Sequence, residues 1–203
     1  MTERIVSIIC IPLLMFSDYY LTLLGKKLRD NVYLQHISTE EYELNPVWQK
    51  DINKFKMFNY KHVLAVILIT GYFYFASLVL RDSWYYGIYG ALFTMYAYII
   101  MRHLNNILIY RFANRNPNLF SGKATYGLLF SLNLSKYQSF TYSVFMLALF
   151  AWTQSWFILG GAIGLALLGL TNIRWINTYK KKALKKSAET NIEQQPKTEP
   201  QVL

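Results

Sequence analysis

Long apolar runs separated by short polar breaks organise this chain. They cover residues 5–24, 63–80, 85–101, 137–152 and 156–173. The first has the ~20 residues that a helix rising 1.5 Å per residue needs to cross ~30 Å of hydrocarbon. The pattern predicts an all-α integral membrane protein with about five transmembrane helices. Arg81-Asp82-Ser83-Trp84 is a tight break, so spans two and three should form an antiparallel hairpin. No Pro or Gly interrupts Ala91 to Arg115, which predicts that span three continues past the membrane through Arg102, Asn105, Asn106 and Arg111 and stops at Asn116-Pro117. Helices two and three are both expected to extend on the cytoplasmic side. In span one, Pro12 frees the carbonyl of Ile8, which predicts a kink.

The segments between the runs are less uniform. Residues 26–61 are polar and mixed in charge, and Asn45-Pro46 reads there as a helix start, with Asn45 as the cap and Pro46 in the first turn. Trp48, Ile52 and Phe55 follow at helical spacing, suited to the membrane surface or a partner helix. Residues 124–134 are too short and too polar to cross, so an interfacial or re-entrant segment is expected. After residue 178 comes the basic run Lys180, Lys181, Lys182, Lys185 and Lys186, suited to lipid headgroups, and then a Glu-, Gln- and Pro-rich end expected to be disordered. The chain thus divides into a membrane domain, 1–178, and a tail, 179–203.

Composition supports this class: 54% of residues are apolar and only 16% charged, against ~25% charged in soluble domains. The formal charge of +10 raises the question of nucleic acid, and its placement answers it. Seven Lys and Arg residues lie in 26–61, five in 102–136 and seven from Arg174 onward, leaving Arg4 and Arg81 for the other side. That asymmetry puts the tail in the cytoplasm and the N-terminus outside, as in a multi-pass bacterial or archaeal inner-membrane protein. The expected partners are lipids, further copies of the chain and a cytoplasmic protein, with no nucleic acid. Cys10 is the lone cysteine, which excludes an intrachain disulfide and a Cys-based metal site. The apolar N-terminus has a nearly neutral leading region and no small-x-small cleavage pattern, so it reads as a retained span.

Asp18 is the strongest candidate for function. A carboxylate at membrane depth costs about 2.5–3.5 kcal/mol on insertion scales and so faces protein or a watery cavity. Thr22 and Gly25 share its helical face. Arg102 is expected to reach toward Asp18, while His103 with Asn106 forms a polar strip suited to a titratable gate. Together these are the ion- or polar-path candidates, set against the plainer reading of a structural ion pair. Span five carries a GxxxG at Gly160 and Gly164, which permits close helix packing within the chain or between copies. Tyr85, Tyr89 and Tyr96 are placed to line one face. No catalytic set, metal site or cofactor motif is present in the sequence.

The Asp18-x-x-x-Thr22-x-x-Gly25 set followed by Glu43-x-Asn45-Pro46 resembles a group of small prokaryotic membrane proteins of unknown function. Their pattern is D-x-x-x-T-x-x-G, a short turn and E-x-N-P opening the next helix. The resemblance covers about the first eighty residues and departs in the connector, where seventeen residues separate Gly25 from Glu43. It implies architecture and highlights these residues without implying a reaction. Three function classes fit the sequence. The first is a homo-oligomeric ion channel or small transporter using Asp18. The second is an accessory or immunity-type protein holding a partner on its cytoplasmic face. The third is a lipid-modifying enzyme drawing on Asp18, Glu43 and His103.

Overall fold

A computed structural model of the chain describes residues 2–31, 37–39, 43–119 and 121–193. Six α-helices are present among them: α1 (Thr2–Arg29), α2 (Pro46–Asn53), α3 (Tyr60–Val79), α4 (Asp82–Arg115), α5 (Leu128–Thr153) and α6 (Trp156–Glu193). Two short strands, β1 (Ile37–Thr39) and β2 (Ala124–Tyr126), pair in parallel. Among the described residues, three helices are long and apolar enough to cross a membrane: α1, α3 and the Trp156–Lys181 part of α6.

The helix ends follow local chemistry. Asn45 and Asn59 cap α2 and α3 by accepting from the Val47 and Lys61 amides, and Pro46 occupies the first turn of α2, where its missing N–H is not needed. Helix α4 runs as one 34-residue rod to the Asn116 cap just before Pro117, ~51 Å long and well beyond the hydrocarbon thickness. The stop at Asn116-Pro117 is where the sequence puts it. Helix α1 carries through Pro12 without a break.

Some expectations need correction. Only one arm of the central hairpin is extended: α3 begins at Tyr60, because Asn59 breaks the helix and its side chain is engaged by Lys61 and Asp51. Residues 124–134 form no separate re-entrant segment. Strand β2 ends at Tyr126, and residues 128–134 are the first turns of α5, continuous with the expected fourth span. The Asn133 side chain is satisfied within α5, donating to the Leu129 carbonyl and accepting from Lys136. Helix α6 passes through residue 178 and the basic run without a break. Lys180 and Lys181 are exposed. The side chains of Lys182, Lys185 and Lys186, and residues 194–203, lie outside the described residues.

Contacts at the two ends give the directions of the helices. At one end, Arg4 at the start of α1 donates to the carbonyls of Ser77 and Leu80 and pairs with Asp82 at the start of α4. At the other, Asn114 near the end of α4 donates to the Leu28 carbonyl. Helices α1 and α4 are therefore parallel, with α3 antiparallel to both. Ser143 of α5 donates to Ala162 of α6, and Asn172 further along α6 donates to Ser135, so α5 and α6 are antiparallel.

Helix α6 meets α4 through small residues. A Cβ on Gly160 would stand 1.8 Å from the Gly87 carbonyl oxygen, one on Gly164 2.4 Å from that of Ala91, and one on Gly90 2.1 Å from that of Phe157. The GxxxG is thus engaged inside the chain by a matching small-residue strip on α4. Tyr85 and Tyr89 are buried in a cluster with Ile11, Met15, Val66, Phe73 and Ala76, between α1, α3 and α4.

Candidate functional site

Beneath that cluster, where α1 and α4 approach their C-terminal ends, the packing opens into a cavity of about 430 Å³. Asp18, Glu43, Asn45, Arg102, His103, Asn106 and Tyr96 line it, with Ser131 and Ser135 from α5 and Asn172 from α6. A second cavity, of about 170 Å³, shares Asp18, Glu43, Trp48 and Tyr96 with the first and reaches Thr22, Tyr19 and His62.

Asp18 pairs with a residue other than the expected one. His103 Nε2 lies 3.1 Å from Asp18 Oδ1 and 3.0 Å from Thr22 Oγ1. Thr22 donates its own proton to the Asp18 carbonyl at 2.8 Å, so its oxygen faces His103 as an acceptor. Both neighbours of Nε2 accept, and Nε2 therefore carries the hydrogen. Arg102 turns the other way, donating to Ser135 Oγ at 2.8 Å and lying 5.7 Å from the Tyr98 ring centroid. Successive residues on a helix point ~100° apart, so only one of Arg102 and His103 can face α1 squarely. Sequence depth alone could not choose between them.

Glu43 reaches the site although it lies outside every helix. Two apolar anchors in the connector hold it there. Leu44 packs on Leu128, Leu132 and Ile176 of α5 and α6, while Trp48 and Ile52 of α2 pack on Tyr19 and Leu23 of α1. Ile52 is 1% exposed, a burial that contributes about 1.5–3 kcal/mol. The partner helix for α2 is therefore α1. Phe55 lies beyond the end of α2, with φ of 51°, and its ring sits 4.2 Å from Lys26 Nζ. Glu43 Oε1 accepts from the Asn45 amide at 2.7 Å, and the Glu43 carbonyl accepts from Gln49. Burial pushes the Glu43 carboxyl up to about 7, the Asp18 charge adds to the rise, and the Asn45 amide, His103 and Arg102 oppose it.

The arrangement thus brings Asp18, Thr22, Glu43, Asn45, Arg102, His103 and Asn106 to adjoining cavities. Gly25 is buried on α1 one turn further along, and Asn105 is exposed. Sequence reasoning missed His62, Trp48 as a wall of the site, and the polar lining from Ser131, Ser135 and Asn172. The last three sit in runs that read as interfacial or purely apolar. Among the described residues, no group of three or more His, Cys, Asp or Glu side chains is arranged to hold a metal ion. What the site offers is two carboxylates, an imidazole and a guanidinium facing a space that can hold a small polar molecule. No protein-family model matches the chain, and neither the curated proteins nor the solved structures include a match.

Proposed function

We propose that the chain is a five-span inner-membrane protein, cytoplasmic at its C-terminus, that binds a small polar solute beside Asp18 and Glu43 and carries it across the bilayer. The observation that supports this best is the convergence of two carboxylates, Arg102 and His103 on one cavity, all supplied by a single chain. Such groups are expensive at membrane depth and typically mark solute or ion pathways. A site complete within one chain favours a carrier over a ring-shaped channel whose pore would lie between copies.

Packing supports counting α4 and α5 as the two further spans. Helix α4 packs along α1 and α6, and α5 packs along α6, a neighbourhood that supports crossing alongside the three apolar helices. The outward faces of α5 are apolar, with Tyr142, Val144, Phe145 and Leu147 exposed. Five crossings also put Arg4 and Arg81 at one end and the other basic residues at or near the opposite one.

The experiment is reconstitution of the purified chain in vesicles, reading proton movement with a pH dye and counterflow of labelled amino acids, amines and organic acids. Saturable flux of at least one substrate is expected, with loss of flux in Asp18→Asn at unchanged helical content. Absence of flux for every substrate, from acid to alkaline pH, overturns the carrier reading.

A further inference from the structure

The two cavities differ in chemistry. The smaller one is walled by Tyr19, Trp48, Tyr96 and His62, with the carboxylates of Asp18 and Glu43 at its boundary with the larger. His62 is 7% exposed, stacks on Tyr19 at a centroid distance of 4.6 Å and meets Trp48 edge-on at 5.7 Å. Its Nε2 is buried with no hydrogen-bond partner, an unfavourable state that a bound donor would relieve. The Met15 backbone beside the imidazole favours the hydrogen on the other nitrogen, which leaves a lone pair on Nε2. Ring faces, two carboxylates and a free acceptor make a setting for a cation that carries N–H groups. The larger cavity has the opposite character, with Arg102, Asn106 and Asn172 as donors, suited to a carboxylate.

We propose that the joined cavities bind a small amino-acid-type zwitterion, its N–H-bearing ammonium in the smaller chamber among Asp18, Glu43 and His62 Nε2, and its carboxylate facing Arg102 in the larger one. The proposal rests on the solute-carrier reading for its setting and adds the substrate class. A quaternary ammonium would meet the rings and carboxylates equally well but offers no proton to Nε2. Selectivity for N–H over N-methyl is therefore the signature of this site. A zwitterion also adds no net charge to a chamber where Asp18 and Glu43 already face Arg102 and His103.

The test uses the full chain in detergent and measures the shift in unfolding temperature across unbranched amino acids from glycine to 6-aminohexanoate. Each is compared with its N-trimethyl counterpart, with the acid lacking the amine and with the alkylamine lacking the acid. At least one amino acid should raise the unfolding temperature in a saturable way, while its trimethyl and amine-free counterparts do so at least tenfold more weakly. His62→Phe, which keeps a ring in the aromatic stack, should erase the preference for N–H over N-methyl. Arg102→Met should erase the preference for the amino acid over the matching alkylamine. No shift with any amino acid, or equal shifts with the trimethyl forms, overturns the proposal. Flux of protons or inorganic ions without amino-acid binding would sink the substrate class and leave the carrier reading standing, and binding without any flux would do the reverse.

Discussion

At the scale of single residues, the Asp18–His103–Thr22 contact makes distinct predictions for two substitutions. Asp18→Ala removes the carboxylate acceptor from His103 Nε2 and leaves only Thr22 Oγ1 at 3.0 Å. It should cost ~1.5–3 kcal/mol of stability, the range for losing a hydrogen bond to a charged group. Asp18→Asn keeps an acceptor oxygen and should lose less than half of that, so thermal unfolding of the two variants side by side separates bonding from charge. Glu43 makes a prediction in pH. Its folded-state value of about 7 lies above the ordinary 4.5, so the folded chain keeps a proton that the unfolded chain has already released. Stability is therefore greatest below pH 4.5, falls as pH rises through 7 and then levels off. The Glu43→Gln amide holds no titrating proton and can still accept from Asn45. It should flatten this fall and be the more stable form at pH 8, by on the order of 3 kcal/mol. Equal pH dependence in the two proteins would show that another group titrates.

At the scale of elements, the α4–α6 contact is the most exacting. Gly160→Ala would put a methyl group 1.8 Å from a backbone oxygen that cannot rotate away, so the helices must separate. The cost expected from overpacking is 1–3 kcal/mol or more. Gly71 in α3 has nothing within 4 Å of its Cβ position, and Gly71→Ala should be neutral or stabilising by ~0.5–1 kcal/mol. Comparing the two unfolding temperatures tests the packing directly. The GxxxG on α6 was legible in the sequence. Its partner strip, Gly87, Gly90 and Ala91, was not, because a small-residue face shows its use only when the facing helix is known. The same distinction explains the connector. The start of α2 at Asn45-Pro46 is local chemistry and could be read from a dipeptide. The meeting of Glu43 with Asp18 across seventeen intervening residues depends on Leu44, Trp48 and Ile52 finding pockets on three different helices. Residues 124–134 were misread for a related reason: Asn133 counts as polar in a hydropathy scan, although bonds within α5 to Leu129 and Lys136 satisfy it.

At the scale of the whole molecule, the proposed orientation can be measured. The end holding Arg4 and Asp82 also carries the α3–α4 turn. The opposite end carries α2, the end of α4 and the basic part of α6. Anionic lipid and the insertion machinery both favour keeping the basic end in the cytoplasm, each Lys or Arg near the surface contributing ~1 kcal/mol. The lone Cys10 makes labelling simple, since a Cys10→Ser background is free of thiols. Single cysteines at Lys54 and Thr178, both exposed, should resist a membrane-impermeant thiol reagent in intact cells and react after lysis. Ser83→Cys, in the turn between α3 and α4, should react in intact cells. This outcome also decides which side of the membrane the Asp18–Glu43 cavity faces, because the cavity lies toward the end that carries α2. If Lys54→Cys and Thr178→Cys both label from outside and Ser83→Cys does not, the orientation is inverted, the charge asymmetry has another origin, and the Asp18–Glu43 cavity lies toward the external face.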